Sequence, residues 1–112
     1  MGSPVAYVYL DDAFGDHPKV LPLTDGAFRL HVIALCYANR HLTDGRIPAE
    51  FVGRRRPHAG ELVKAGLWYT DDPTQGWWIH DYLDYQKSAR RVREDRAKAA
   101  EKKRQQRAQP DA

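Results

Sequence analysis

Three consecutive arginines, Arg54, Arg55 and Arg56, stand directly before Pro57. His58, Glu61 and Lys64 follow at three-residue intervals, a spacing that gathers them on one outward side of a helix. These residue types suit a polyanion. A guanidinium fork matches the geometry of a phosphate. A lysine on an exposed helix face can reach guanine acceptors, and a glutamate can accept from a cytosine amino group. A second concentration of cations lies near the C-terminus: Arg90, Arg91, Arg93, Arg96, Lys98, Lys102, Lys103, Arg104 and Arg107. Each phosphate that such a segment neutralises strengthens binding in a salt-dependent, sequence-independent way.

Other chemistry is poorly provided for. The only serines, Ser3 and Ser88, lie in the terminal regions, and no Ser-His-Asp or Cys-His set is suggested by neighbouring residues. The five histidines make no i, i+4 pair with another His or Cys, so no zinc site is indicated. Asp11, Asp12, Asp16 and His17 cluster in sequence, but a loop and a helix cap account for them better than a hard cation does. There is no Gly-rich phosphate loop. The expectation is a non-enzyme with no metal and no cofactor.

Charge distribution sharpens this reading. The 112 residues carry a net charge of +3. Residues 1–85 hold eight basic groups against eleven acidic, a balance of −3; residues 86–112 hold ten against four, a balance of +6. Every Trp, Phe and Tyr lies at or before Tyr85. The chain therefore divides into a slightly acidic head, residues 1–85, with 42% apolar residues overall to build one modest core, and a basic tail, residues 86–112. No apolar run approaches the roughly 18 residues of a membrane span, and the tail lacks an apolar face, so no membrane role is expected. A single cysteine, Cys36, excludes an internal disulfide and, with no secretory signal visible, fits a reducing, cytoplasmic compartment.

The elements that must position these groups follow from local pattern. Val5 to Leu10 is β-branched and aromatic and reads as a strand. Asp16-His17-Pro18-Lys19 reads as the start of a short helix, stopped by Pro22. Thr24 is placed to cap a long helix through Ala27 to Ala38, apolar nearly all round and so central, with Cys36 as an inert core thiol. Gly45 closes that helix, Arg46-Ile47 has room for a very short strand, and Ala49 to Val52 forms a short helix with Phe51 and Val52 inward. After the arginine turn, His58 to Ala65 is a helix packed through Ala59, Leu62 and Val63. Leu67 to Thr70 and Trp77 to His80 form a hairpin around the turn Asp71 to Gly76, with one of Trp77 and Trp78 buried and the other exposed. The tail has no Gly or Pro from Gln86 to Gln109 and carries the i, i+4 pairs Arg90–Glu94, Arg91–Asp95 and Glu94–Lys98, so it reads as a solvated helix or a disordered segment.

From the long helix onward this is the order of a winged helix-turn-helix: mainly α, with a small β-hairpin as the wing. The ordered set Tyr9-Leu10-Asp11-Asp12, Asp16-His17-Pro18-Lys19, Ala27-Phe28-Arg29-Leu30, Leu42-Thr43-Asp44-Gly45, Glu61 to Trp68 and Gly76 to Leu83, followed by a basic tail, resembles the small winged-helix proteins of actinobacterial phages and prophages. It is also similar to the N-terminal domain of phage replisome organisers. The resemblance spans roughly residues 5–85 and implies DNA binding in replication initiation or transcription control. Replisome organisers usually carry a further domain that contacts the helicase-loading machinery, which these 112 residues do not include. The expected partner is double-stranded DNA. Arg54, Arg55 and Arg56 would lie on phosphates, His58, Glu61 and Lys64 at the major groove, and the tail would add non-specific contacts. Asp71 and Asp72 would turn the wing away from phosphate. They favour the alternative of an interaction module for a replication or transcription protein. Oligomeric state is left open.

Overall fold

The computed structural model describes residues 6–108 and is mainly helical with one small antiparallel sheet. Helix α1 runs Asp25–His41, strand β1 Arg46–Pro48, helix α2 Ala49–Val52, helix α3 Arg56–Lys64, strand β2 Trp68–Tyr69, strand β3 Gly76–Ile79, helix α4 Tyr82–Tyr85 and helix α5 Ala89–Ala108. The strand order is β1-β3-β2. Ile47 lies opposite Trp77, and Trp68 opposite Ile79.

Helix α1 begins where Thr24 Oγ1 accepts from the Ala27 amide at 3.3 Å, with Asp25 in the first turn and Arg40 and His41 in the last, each suited to the helix dipole. Its buried residues are Ala27, Leu30, His31, Ala34, Leu35 and Ala38, one face of a helix and not the whole circumference. The opposite side, including Phe28 and Cys36, is exposed, so Cys36 is a surface thiol and not the core residue expected from its apolar neighbours. The head is too small to cover both sides of its longest helix in the core. The helix is closed by Leu42, not by Gly45. Leu42 sits in the left-handed region (φ 54°), where a leucine costs about 1–2 kcal/mol, and Thr43 donates to the Ala38 carbonyl at 3.1 Å. Gly45 has its own reason to be glycine: φ is 98°, and a Cβ there would meet Tyr82 Cβ at 2.7 Å.

The fully buried side chains Leu30, Ile47, Val52, Leu62 and Trp68 join α1, β1, α2, α3 and β2 into one core, with Trp68 and Trp77 in tilted contact at 6.4 Å. Trp77 is buried and Trp78 half-buried. Gly76, at φ 149°, faces Pro48 across β1 and β3, where a Cβ would collide with the Ile47 carbonyl.

Two N-terminal expectations are corrected. Residues 6–10 form no strand (Val5 lies outside the described residues). The Tyr9 backbone is instead held by the Gln86 side chain, which accepts from Tyr9 N at 2.9 Å and donates to Tyr9 O at 2.6 Å. A strand needs an edge to pair with, and the outer strands β1 and β2 are only three and two residues long. No helix starts at Asp16 either. A 3₁₀ turn, Phe14–Asp16, ends there, and His17 is extended, as a residue before proline prefers. The Leu21 amide then bonds the His17 carbonyl at 2.9 Å, one turn that Pro22 does not prolong.

The tail is a helix along Ala89–Ala108, and its root belongs to the head. Ala89 and Gln86 are buried, Asp44 accepts from the Ala89 amide at 2.6 Å, and Ser88 Oγ from the Arg91 amide at 3.0 Å. The rest projects as a rod, giving the molecule extents of 61 × 31 × 24 Å.

Candidate nucleic-acid interface

The turn before α3 divides the three arginines into two roles. Arg54 and Arg55 lie in a 3₁₀ turn, Gly53–Arg55, and are exposed. Arg56 opens α3, and its Nη2 donates to the Pro73 carbonyl at 2.7 Å while the guanidinium sits 5.8 Å from the centroid of the Trp77 ring. It clamps the hairpin turn to the helix. Arg46, which the sequence did not single out, adds a longer contact from Nη2 to the Gln75 carbonyl at 3.4 Å. Of the triplet, two guanidinium groups are therefore free to meet a phosphate.

The outward set on α3 is also split. Glu61 accepts from Thr24 N and from Thr24 Oγ1, both at 2.7 Å. The Thr24 backbone amide, then its hydroxyl, hold the Glu61 carboxyl below its ordinary range. The His58 ring lies over Gly26, where any Cβ would collide with it. Glu61 and His58 thus tie α3 to the start of α1, a reciprocal cap invisible in sequence because the partners are 37 residues apart. Lys64 alone of the three keeps an exposed position.

The hairpin turn is built from its own side chains. Asp72 Oδ1 accepts from Thr74 N at 3.0 Å and Thr74 Oγ1 at 2.7 Å, contacts that lower its pKa, hydroxyl first. Thr70 Oγ1 donates to the Gly76 carbonyl at 2.6 Å. Asp72 is a turn former, whereas Asp71 is simply exposed.

Along α5 the acids are matched by cations of the helix and of the residues that lead into it. Glu94 holds Arg90 at 3.1 Å, Asp95 holds Lys87 at 2.9 Å and Arg91 at 3.2 Å, and Glu101 pairs with Arg104. Glu94 thus turns back to Arg90 and not forward to Lys98. Lys87 is raised and Asp95 lowered, chiefly by their shared hydrogen bond. Arg93, Arg96, Lys98, Lys102, Lys103 and Arg107 have no carboxylate partner among the described residues.

A buried histidine had no sequence signal. Trp68 Nε1, a donor only, gives its proton to His31 Nδ1 at 3.0 Å, and Phe14 stacks on the ring at 5.4 Å. Desolvation by burial pushes His31 down to about 4. Tyr82 is pushed up to about 12 by burial and by the charge of Asp44. Among the described residues no group of three His, Cys, Asp or Glu is placed to hold a metal ion, and no helix is long and apolar enough to cross a membrane. No family model, curated protein or solved structure matches the chain.

Proposed function

We propose that the chain is a winged-helix protein that binds duplex DNA, in phage or prophage replication initiation or transcription control. The observation that carries this reading is topological. The order α1-β1-α2-α3-β2-β3 with strands arranged β1-β3-β2 puts a short two-helix turn beside a hairpin, as that fold requires. Arg54 and Arg55 contact phosphate at the mouth of the groove, Lys64 reaches toward base edges, and α5 supplies cations along the backbone. Arg56, His58 and Glu61 serve by holding the hairpin and α1 against α3.

The test is duplex titration by fluorescence anisotropy at several salt concentrations. Replacing Arg54 and Arg55 together by Glu should weaken binding at least about tenfold, because repulsion replaces two phosphate contacts. Ending the chain after Asp95 keeps the helix root and removes six cations, and should flatten the log–log salt slope by roughly 2–5. Unchanged affinity in the first case and an unchanged slope in the second would reject the reading.

A protein-interaction module of a replication or transcription complex is the second reading. A cavity of about 230 Å³ rimmed by the exposed Tyr9, Leu10 and Tyr85 favours it. It prevails if the Arg54 and Arg55 variant binds duplex as before while Tyr85→Ala abolishes capture of a replication or transcription protein.

A further inference from the structure

The outer side of α1, left uncovered by the core, forms one wall of a groove of about 730 Å³. Helix α5 closes it from the other side through Arg96. Three properties of the groove point the same way. First, its lining includes Arg40 and Arg96 and, among the described residues, no carboxylate. The acids of α5, Glu94, Asp95 and Glu101, lie about 100° or more around that helix from Arg96 and are occupied by Lys87, Arg90, Arg91 and Arg104. Second, the groove contains a continuous aromatic run. His41 meets Tyr37 at 4.4 Å between centroids, and Tyr37 meets Phe51 at 4.5 Å. His41 is exposed, while Tyr37 and Phe51 are half-buried and anchored against the core. Third, the groove is open to solvent and not a closed cavity, so a chain can enter it.

Cations that follow a backbone, beside aromatic faces on which bases stack, are the requirements of a single-stranded polynucleotide. A duplex, whose bases are already stacked on one another, can meet the cations but cannot use the aromatic faces. We propose that the groove between α1 and α5 holds a single strand of DNA, with phosphates on Arg40 and Arg96 and bases against His41 and Tyr37. The site is separate from Arg54, Arg55 and Lys64, shares Arg96 with the α5 cations of the duplex reading, and takes its preference for DNA over RNA from that reading.

Cys36, the chain's one cysteine, is exposed and lines this groove, which gives a direct readout in the full-length protein. Alkylation of Cys36 by iodoacetamide is followed by mass spectrometry. The reaction is run with an oligothymidylate of about twelve nucleotides, an oligouridylate of the same length, or a duplex. Saturating oligothymidylate should slow the reaction about tenfold, oligouridylate should protect no better, and duplex should protect far less. Arg40→Glu and His41→Ala should each raise the oligothymidylate concentration needed for protection about tenfold. Tyr37→Leu, which keeps apolar volume in the half-buried position, should do the same. Duplex anisotropy should be unaffected by all three.

An unchanged Cys36 rate at saturating oligothymidylate overturns the proposal. So does equal protection by duplex, stronger protection by oligouridylate, or unchanged protection in both the Arg40 and His41 variants. Failure of the duplex reading registers separately, as duplex affinity unaltered by the Arg54 and Arg55 replacement, with Cys36 protection intact.

Discussion

Acidification from pH 7 to pH 4.5 should weaken the fold through His31. The ring is 4% exposed, its Nδ1 accepts the Trp68 indole proton, and burial holds its pKa near 4 against an ordinary 6.5. Protonating Nδ1 would replace an acceptor by a donor facing another donor. The folded state therefore prefers the neutral ring, whereas the unfolded chain takes up a proton near pH 6.5. The associated stability is fully present above pH 6.5 and is lost as pH falls through the window from 6.5 to 4. At about 1.36 kcal/mol per unit, the loss is roughly 2–3 kcal/mol at pH 4.5 and roughly 3–4 kcal/mol when complete. In urea this lowers the midpoint on the order of 1–2 M, given slopes of about 1–3 kcal/mol per M. Glu61, Asp72 and Asp95 titrate below the usual carboxylate range in the fold, so their contributions are lost mostly below this window. His31→Gln retains an acceptor for Trp68 and cannot titrate. Its midpoint should be nearly flat over the same range, whatever its value at pH 7, which separates His31 from the other four histidines. A wild-type midpoint that holds from pH 7 to 4.5, or an equal decline in the variant, refutes the reasoning.

Thr24→Ala removes both the cap of α1 and the hydroxyl donor to Glu61, leaving only the backbone amide at residue 24 to hold that carboxylate, and should cost about 1–2 kcal/mol in urea unfolding at pH 7; Glu61→Gln should cost less, since an amide oxygen can still accept. Gly76→Ala forces a Cβ toward the Ile47 carbonyl at a φ of 149° and should destabilise by about 3 kcal/mol or prevent folding, seen as loss of the near-ultraviolet tryptophan signal. Arg56→Ala should cost about 1–2 kcal/mol of stability through the Pro73 bond and the Trp77 contact, with duplex affinity nearly kept, whereas Arg54→Ala should do the reverse.

Local signals were legible in the sequence where they acted over a few residues. The Thr24 cap, the short β1, the helix α3 behind Pro57 and the hairpin around Asp71 to Gly76 all follow from neighbours along the chain. Long-range partnerships were not. Glu61 looked like a free acid on an outward face because Thr24 lies 37 residues earlier, and Gln86 meets Tyr9 across 77 residues. Val5 to Leu10 has strand composition but no edge to join. Cys36 shows the converse difficulty: apolar neighbours along a helix suggest burial, yet burial depends on what packs against that side. The tail's helicity was legible as one of two states, and its rooting by Asp44 and Ala89 came only with the fold.

The fixed root of α5 makes it a ruler. Twenty residues at 1.5 Å each span about 30 Å, close to nine base pairs at 3.4 Å. A tether that wandered would smear its charge over many positions along a polymer. A rod held at Asp44, Ser88 and Gln86 sets its far cations, Lys103 and Arg107, at a set distance from the head. On a duplex running beside it, the protected length would exceed that of the head alone by almost one helical turn, and shortening the rod by whole turns would trim that footprint in steps.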